Sequence, residues 1–418
     1  MATERALVVA DDLTGAADTG HEFARRGHPT TVTLGGATDD RVVVVDTDSR
    51  ESSASDAREA VVAAAERWPA ALVYKKVDST LRGNVAAEVA ACAGVFEPDV
   101  VLFVPAFPAN DRVTEGGRHY ASGTAVDDAP VDSGENPPQT SSLSELFATT
   151  DIQTTSLPLA VVEAGRQAVE SRLAGVATRS PTPVLVAVDA TEPAHLGRAA
   201  TAASDLQQQV LYVGSAGLAR HVELPFSPTA SADRTGASYT PRQPALVVAG
   251  STSPVTRAQV AAVPGSARVE LPLSAAVQHP ATAADRASDV LVDRLSTAGT
   301  AVLTTVSPNQ DAAPDPGGLS ATERQSRIAT ALARAAADAV KEAEVADLFL
   351  TGGAVAKAVL GQMDADGISP TGTDIGAGIP VSSVVGGRAD GLRVVTKAGG
   401  FGDPRTIRSW LSNCRPDG

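Results

Sequence analysis

The chain has 418 residues, 43% of them hydrophobic, a formal net charge of −15 and a mean hydropathy of +0.01. Such a length carries two domains with a sizeable core, and no apolar run approaches the ~20 residues of a membrane helix. The charge argues against a nucleic-acid groove or an anionic membrane surface as partner, and Cys92 and Cys414 carry neither metal-ligand nor disulfide spacing.

The N-terminus reads directly into a strand, without the basic region and long apolar run of a secretory signal, so a cytoplasmic location is expected. Asp outnumbers Glu 31 to 18, and five lysines stand against 29 arginines. High-salt adaptation and GC-biased coding give the same balance, so it describes the environment and not the reaction.

The first strand, Ala6–Ala10, ends in Asp11-Asp12-Leu13-Thr14-Gly15 and leads into a helix over Gly15–Arg26. Adjacent carboxylates at a strand end repel each other unless a ligand or cation is near. They suit sugar hydroxyls, general-base work or Mg²⁺. Capping of the helix by Asp12 or Thr14 accounts for only one of them. Strands follow at Thr30–Leu34 and Val42–Asp46, the latter running into Asp46-Thr47-Asp48-Ser49-Arg50. The planar fork of Arg50 suits a ligand carboxylate, and a surface arginine in a polar loop is the plain alternative.

After a helix over Ser55–Trp68, the strand Leu72–Val77 enters Lys75-Lys76-Val77-Asp78-Ser79-Thr80-Leu81-Arg82-Gly83-Asn84. Two of the five lysines stand side by side here, with a carboxylate, two hydroxyls, an arginine and an amide close behind. That density suits an anionic, polyhydroxylated small molecule. Neighbouring strand residues point to opposite faces, so one lysine reaches the ligand and the other is solvated or ion-paired. Lys76, which shares parity with Asp78, is the expected contact. A helix over Asn84–Cys92 and a strand over Val100–Ala106 lead to Pro105-Ala106-Phe107-Pro108-Ala109-Asn110-Asp111-Arg112, where prolines stiffen a loop and Asn110 and Arg112 offer donors.

Residues 107–150, rich in Gly, Pro, Asp and Ser, read as a long functional loop or small insertion. The alternation resumes with a helix over Val161–Leu173, a strand over Val184–Asp189, a helix over Ala194–Gln208 and a strand over Val210–Val213. Residues 225–244 carry four prolines and no apolar period, as a linker does. Beyond it, strands are predicted at Ala245–Ala249, Ala301–Thr305, Asp347–Thr351 and Leu392–Lys397. Helices are predicted at Val255–Val263, Ala284–Leu295, Leu319–Ala343, Ala354–Met363 and Arg405–Leu411. Strands alternating with helices give an α/β fold: two α/β domains with mostly parallel sheets and a ligand cleft between them.

Three strands of the second half end in glycine-rich turns: Gly250-Ser251-Thr252-Ser253-Pro254, Thr351-Gly352-Gly353-Ala354 and Lys397-Ala398-Gly399-Gly400-Phe401-Gly402. Each can present backbone N–H groups to phosphate at a helix N-terminus. One alone is a weak signal; three in one domain, one with a lysine, point to a nucleotide. No P-loop, no Gly-x-Gly-x-x-Gly after a strand and no nucleophile elbow occurs. The six histidines show no ligand spacing, and no metal ligand is assigned.

Taken in order, Ala-Asp-Asp-Leu-Thr-Gly-Ala, Lys-Lys-Val-Asp-Ser-Thr-Leu-Arg-Gly-Asn, Pro-Ala-Phe-Pro-Ala-Asn, Gly-Ser-Ala-Gly-Leu-Ala, Thr-Gly-Gly and Lys-Ala-Gly-Gly-Phe-Gly resemble the four-carbon acid sugar kinases, from about Val8 to Arg405. The resemblance implies a sugar-acid-binding domain over 1–224, a linker over 225–244 and an ATP-binding domain over 245–418. It implies transfer of phosphate from ATP, with Mg²⁺, to a hydroxyl of a threonate, erythronate or 3-oxo-tetronate. Carried onto this sequence, it places Asp11, Arg50, Asp78, Ser79, Thr80, Leu81 and Arg82 at the substrate, and the motifs themselves add Lys76 and Asn110. It places Ser251, Thr351, Gly352, Gly353 and Gly399 at the nucleotide, and the glycine-rich turns themselves add Ser253, Ala354, Lys397 and Gly400. Many members carry an acid where Ala354 stands here. Asp11, Asp12 and Asp78 are the catalytic candidates. A non-catalytic sugar-acid and nucleotide sensor and a sugar-phosphate hydrolase are the alternatives. The partners expected are the sugar acid and ATP, with a homodimer among the possible assemblies and neither nucleic acid nor membrane.

Overall fold

In a computed structural model of the chain, residues 4–129, 136–178, 183–229, 239–305 and 318–416 are described. Part of the predicted linker and of the 107–150 segment lies outside them. The chain divides into two compact units, residues 1–32 with 38–233, and residues 33–37 with 234–418.

The strands of the first unit are β1 (Ala6–Ala10), β2 (Thr30–Thr33), β3 (Val42–Asp46), β4 (Leu72–Lys76), β5 (Val100–Val104), β6 (Arg112–Glu115), β7 (Arg118–Ala121), β8 (Thr124–Ala125), β9 (Gln153–Leu157), β10 (Val184–Val188) and β11 (Val210–Gly214). Its main sheet runs β2-β3-β1-β4-β11-β5-β10-β9, and every pairing from β3 to β9 is parallel. Runs such as Ala6-Leu7-Val8-Val9-Ala10 are apolar on both faces because helices cover both, as parallel sheets require. Leu7, Val9, Val43, Val101, Phe103 and Val213 lie in one core, where Phe103 meets Phe147 edge-on at 5.1 Å. The chain leaves β1 toward β3 on one side and returns to β4 on the other. The carboxyl ends of β1 and β4 therefore flank a switch point, the usual place for a ligand in an open α/β sheet.

The second unit holds β12 (Ala245–Ala249), β13 (Arg268–Glu270), β14 (Thr300–Thr304), β15 (Asp347–Thr351), β16 (Gly367–Asp374), β17 (Pro380–Val385) and β18 (Arg393–Lys397), in the order β13-β14-β12-β15-β18-β17-β16. Pairing is parallel as far as β18 and antiparallel through β17 and β16. Here too the order reverses, between β12 and β15. Val247, Val302, Phe349, Val395 and Trp410 form its core.

The structure departs from or refines the predicted elements at several points. The helix predicted over Val161–Leu173 is two helices, Leu159–Glu163 and Arg166–Ala177, because Gly165 at φ +106° breaks the ladder between them. The 107–150 segment, where described, is built: β6, β7 and β8 form a small antiparallel sheet, its tip held by Asp189, which accepts from the N–H groups of Gly116 and Gly117 at 2.9 Å each. The hairpin β16–β17 has no counterpart in the predicted elements, since its glycines and Pro370 read as breakers.

Candidate active site

At the carboxyl ends of β1, β3 and β4, three acids surround one arginine. Arg50 reaches this point because Ser49 and Arg50 donate their N–H groups to the Asp11 carbonyl. Its Nε donates to Asp11 Oδ2 at 2.7 Å and its Nη2 to Asp12 Oδ1 at 2.7 Å, with Asp78 Oδ1 at 3.6 Å. Arg50, expected at a ligand carboxylate, is engaged here by these protein carboxylates. Burial opposes the Arg50 charge, but Asp11, Asp12 and Asp78 hold it well above its ordinary value.

The three acids differ in what they leave open. Asp12 caps the helix Leu13–Ala24: Oδ1 accepts from Gly15 N at 2.9 Å and Oδ2 from the Thr14 hydroxyl at 2.5 Å. Asp78 organises its own loop, accepting from Thr80 N at 3.1 Å, from the Thr80 hydroxyl, and from Arg82 Nε and Nη2 at 2.8 Å each. Burial works against its charge, yet Arg82, Arg50 and Lys76 hold it well below the usual carboxylate range. Asp11, 2% exposed, binds Arg50 through Oδ2, while its buried Oδ1 has no partner among the described residues. Burial opposes the Asp11 charge too, and Arg50, Lys76 and Lys75 more than offset it, so the group is ionised at neutral pH. Of the three acids, Asp11 alone has a buried oxygen without a partner among the described residues.

The two lysines go to different helices. Lys75 pairs with Glu88 of the helix Val85–Phe96 at 2.9 Å, inside the core. Lys76 donates to the Val77 carbonyl at 2.7 Å and lies against Gly15, where an added Cβ would be 2.9 Å from its Nζ. Leu81, expected at the ligand, turns its side chain into the core at φ +61°. Ser79 is held from behind: its carbonyl accepts from His119 Nε2 at 3.0 Å, and His119 Nδ1 meets the Thr114 hydroxyl at 2.9 Å. Burial pushes His119 down to about 4, so it is neutral and ties the β6–β7 insert to the site loop. Glu88 and His119 escaped the sequence reading because neither is marked by its neighbours; only the fold brings them to Lys75 and Ser79.

In the second unit the three glycine-rich turns follow β12, β15 and β18, three adjacent parallel strands, and they touch. Gly352 N donates to the Lys397 carbonyl at 3.0 Å and the Thr256 hydroxyl to the Gly399 carbonyl at 2.8 Å. A Cβ on Gly399 would fall 2.2 Å from Ser251 Oγ, and one on Gly352 3.4 Å from Ser251 Cβ. Gly352, at φ +96°, starts the helix Gly353–Gln362 without a side-chain cap, leaving N–H groups for an anion. Thr351 is buried against Thr256 at 3.3 Å, and Ser253 N donates to Ser251 Oγ at 3.2 Å.

Lys397 was expected at phosphate, but its ammonium lies under the turn. It donates to the carbonyls of Ala398, Gly399 and Phe401 at 2.9, 3.1 and 3.2 Å and to Thr256 Oγ1 at 3.3 Å. Burial, with no carboxylate to oppose it, pushes this amine down to about 7.

Residues 6–222 match a family model described as a sugar-binding N-terminal domain and residues 246–407 one described as a nucleotide-binding C-terminal domain. The chain is 30% identical to a D-threonate kinase of Salmonella typhimurium, over 96% of each chain. It is 34% identical to a D-threonate kinase of Bordetella bronchiseptica, over 95% of this chain and 94% of that one. A Salmonella typhimurium crystal structure described as a putative tRNA synthase superposes with a TM-score of 0.76 over 97% of this chain and 98% of that one; at 20% identity it shares the fold. A sugar-binding α/β unit followed by a nucleotide-binding one makes a small-molecule kinase. The chain belongs to the four-carbon acid sugar kinase family.

Proposed function

We propose that the chain phosphorylates a hydroxyl of a four-carbon sugar acid, D-threonate first among them, from ATP and Mg²⁺. The observation that carries this reading is the unpartnered Asp11 Oδ1, a buried carboxylate oxygen set among cations. Residues 1–224 hold the acid, residues 245–418 the nucleotide, and residues 225–244 join them. Asp11 accepts the hydrogen bond of the attacking hydroxyl and orients it. Lys76 adds positive charge, while Asp12, Asp78, Ser79, Thr80, Leu81 and Arg82 give the pocket its shape. The turns around Ser251, Ser253, Gly352, Gly353, Ala354, Gly399 and Gly400 cradle phosphates, with Thr351 and Lys397 supporting them from inside. Such transfers need mainly positioning and charge neutralisation.

Among the described residues no group of three His, Cys, Asp or Glu side chains could hold a metal. Mg²⁺ takes few protein ligands and keeps its waters, so the nucleotide phosphates would hold it.

The test is ADP release from ATP and Mg²⁺ with D- and L-threonate, D- and L-erythronate and 3-oxo-tetronates, in low and molar KCl. ADP release that depends on D-threonate is the expected result. ADP release indifferent to every acid, or phosphate release from a sugar phosphate without ATP, would sink the reading.

Two further outcomes are expected. A Cβ at Gly15 would lie 2.7 Å from Asp12 Oδ1 and 2.9 Å from Lys76 Nζ. Gly15→Ala therefore displaces the ammonium and the Asp12 carboxylate together and raises KM for the acid about 10-fold, the loss of roughly one good charged contact, with the circular dichroism unchanged; an unaltered KM would show that neither position matters to the acid.

Lys397 titrates near 7, below its ordinary 10.5. A lysine lowered by folding is destabilising while charged: the cost is full below pH 7 and fades as pH rises from there toward 10.5. Phosphate bound above it favours the charged form, so nucleotide binding at pH 8 takes up a proton. Calorimetry in buffers of different ionisation enthalpy reads this directly, and buffer-independent heats would refute it.

A further inference from the structure

The cations of the first unit are not equally engaged. Lys75 is matched by Glu88, Arg50 by Asp11 and Asp12, and Arg82 by Asp78 through both nitrogens. Arg112 forms no ion pair among the described residues, although it lies close enough to Asp78 and Arg82 to sense their charges. Its Nη1 donates to the Asn110 carbonyl at 2.5 Å, while its buried Nε and the buried Asn110 Nδ2 have no partner among the described residues. Burial pushes the guanidinium below its ordinary value, against the opposing pull of the Asp78 and Asp111 charges.

The loop that carries the two residues is stiff. Phe107 N donates to the Arg112 carbonyl at 2.8 Å and Arg112 N to the Phe107 carbonyl at 3.2 Å, closing it around the short turn Pro108–Asn110. Donors placed in advance lose little freedom when a ligand arrives.

One anion would satisfy these donors, and the acceptor supplies one. The geometry points to Arg112 as the residue that receives the acceptor's carboxylate, with Asn110 Nδ2 donating beside it. Arg112 is then what distinguishes a sugar acid from the polyol of the same length. The inference rests on the reading of the acceptor as a four-carbon sugar acid.

The experiment compares kcat/KM for D-threonate and for threitol, which lacks the carboxylate, in the wild type, R112Q and R112K. Calorimetric Kd values for D-threonate and thermal unfolding are measured on the same proteins. R112Q should lower the D-threonate-to-threitol ratio and weaken D-threonate binding about 100-fold, the usual loss for a desolvated charge pair. The loss should fall mainly in KM, R112K should recover part of it, and Tm should not move. An unchanged Kd for D-threonate, or equal losses on both acceptors, overturns the assignment of Arg112 alone. A wild type that neither binds nor phosphorylates a four-carbon acid overturns the functional reading, and this inference with it.

Discussion

Asp11→Asn should lower kcat about 10³-fold, within the range for loss of a positioned acid–base group, while nucleotide affinity stays within twofold of the wild type by calorimetry. The substitution is nearly isosteric, and Arg50 keeps Asp12 at 2.7 Å and Asp78 at 3.6 Å, so the pocket has reason to stay assembled. What is lost is the negative charge on the buried Oδ1 that orients the hydroxyl. The native carboxyl lies below its ordinary value, so Asp11 is ionised from about pH 5 upward and gives no acid limb to kcat between pH 5 and 8.

The neighbouring acids provide the contrast. Asp12→Asn disturbs the cap and one Arg50 contact, with a stability loss of about 1 kcal/mol, but it does not remove the open oxygen. Full activity in Asp11→Asn would return the role to Asp12 or Asp78. Loss of nucleotide binding in that variant would place Asp11 in the wrong site.

The reason the sequence could not separate these three acids is specific. Asp12 as a helix cap is a local matter, readable from the glycine and helix behind it. The difference between Asp11 and Asp78 depends on Arg50, which arrives from another strand and engages one oxygen of Asp11 and one of Asp12. The strands themselves were legible, because parallel strands buried on both faces are continuous apolar runs. The shape of the glycine turns was less so. Their presence at strand ends is plain in the sequence, but that β12, β15 and β18 lie side by side follows from topology. The surroundings of Lys397 were hidden for a related reason: the carbonyls that take its ammonium come from its own following turn, and nothing in Lys397-Ala398-Gly399-Gly400 says that the chain folds back over it.

Lys75 and Glu88 give the largest effect on stability. Lys75 is 0% exposed, and its ammonium bonds Glu88 at 2.9 Å, the Lys76 carbonyl at 2.8 Å and the Val9 carbonyl at 3.3 Å. Glu88 also accepts from the Ser49 hydroxyl at 2.5 Å. One ion pair thereby joins β1, the turn after β3 and β4, the three places that bear Asp11, Arg50 and Asp78. Burial works against the Lys75 charge, but Glu88 and Asp11 raise the group above its ordinary value. A raised lysine contributes stability that is full below its unfolded pKa of 10.5, so the pair holds across the neutral range and is lost only at higher pH.

Glu88→Gln leaves the ammonium buried without its counter-ion and should cost about 3–5 kcal/mol, read as an earlier urea transition of the first unit. Replacing both partners, as Lys75→Met with Glu88→Leu, removes the uncompensated charge and should recover most of that loss, since well-packed apolar groups often match a buried pair. A double variant no more stable than Glu88→Gln would show that the destabilisation comes from packing around the helix Val85–Phe96 and not from the stranded charge. The recovered double variant also separates folding from function. The strand ends lose their common tether while the core stays filled, so kcat for the sugar acid should remain low even as stability returns.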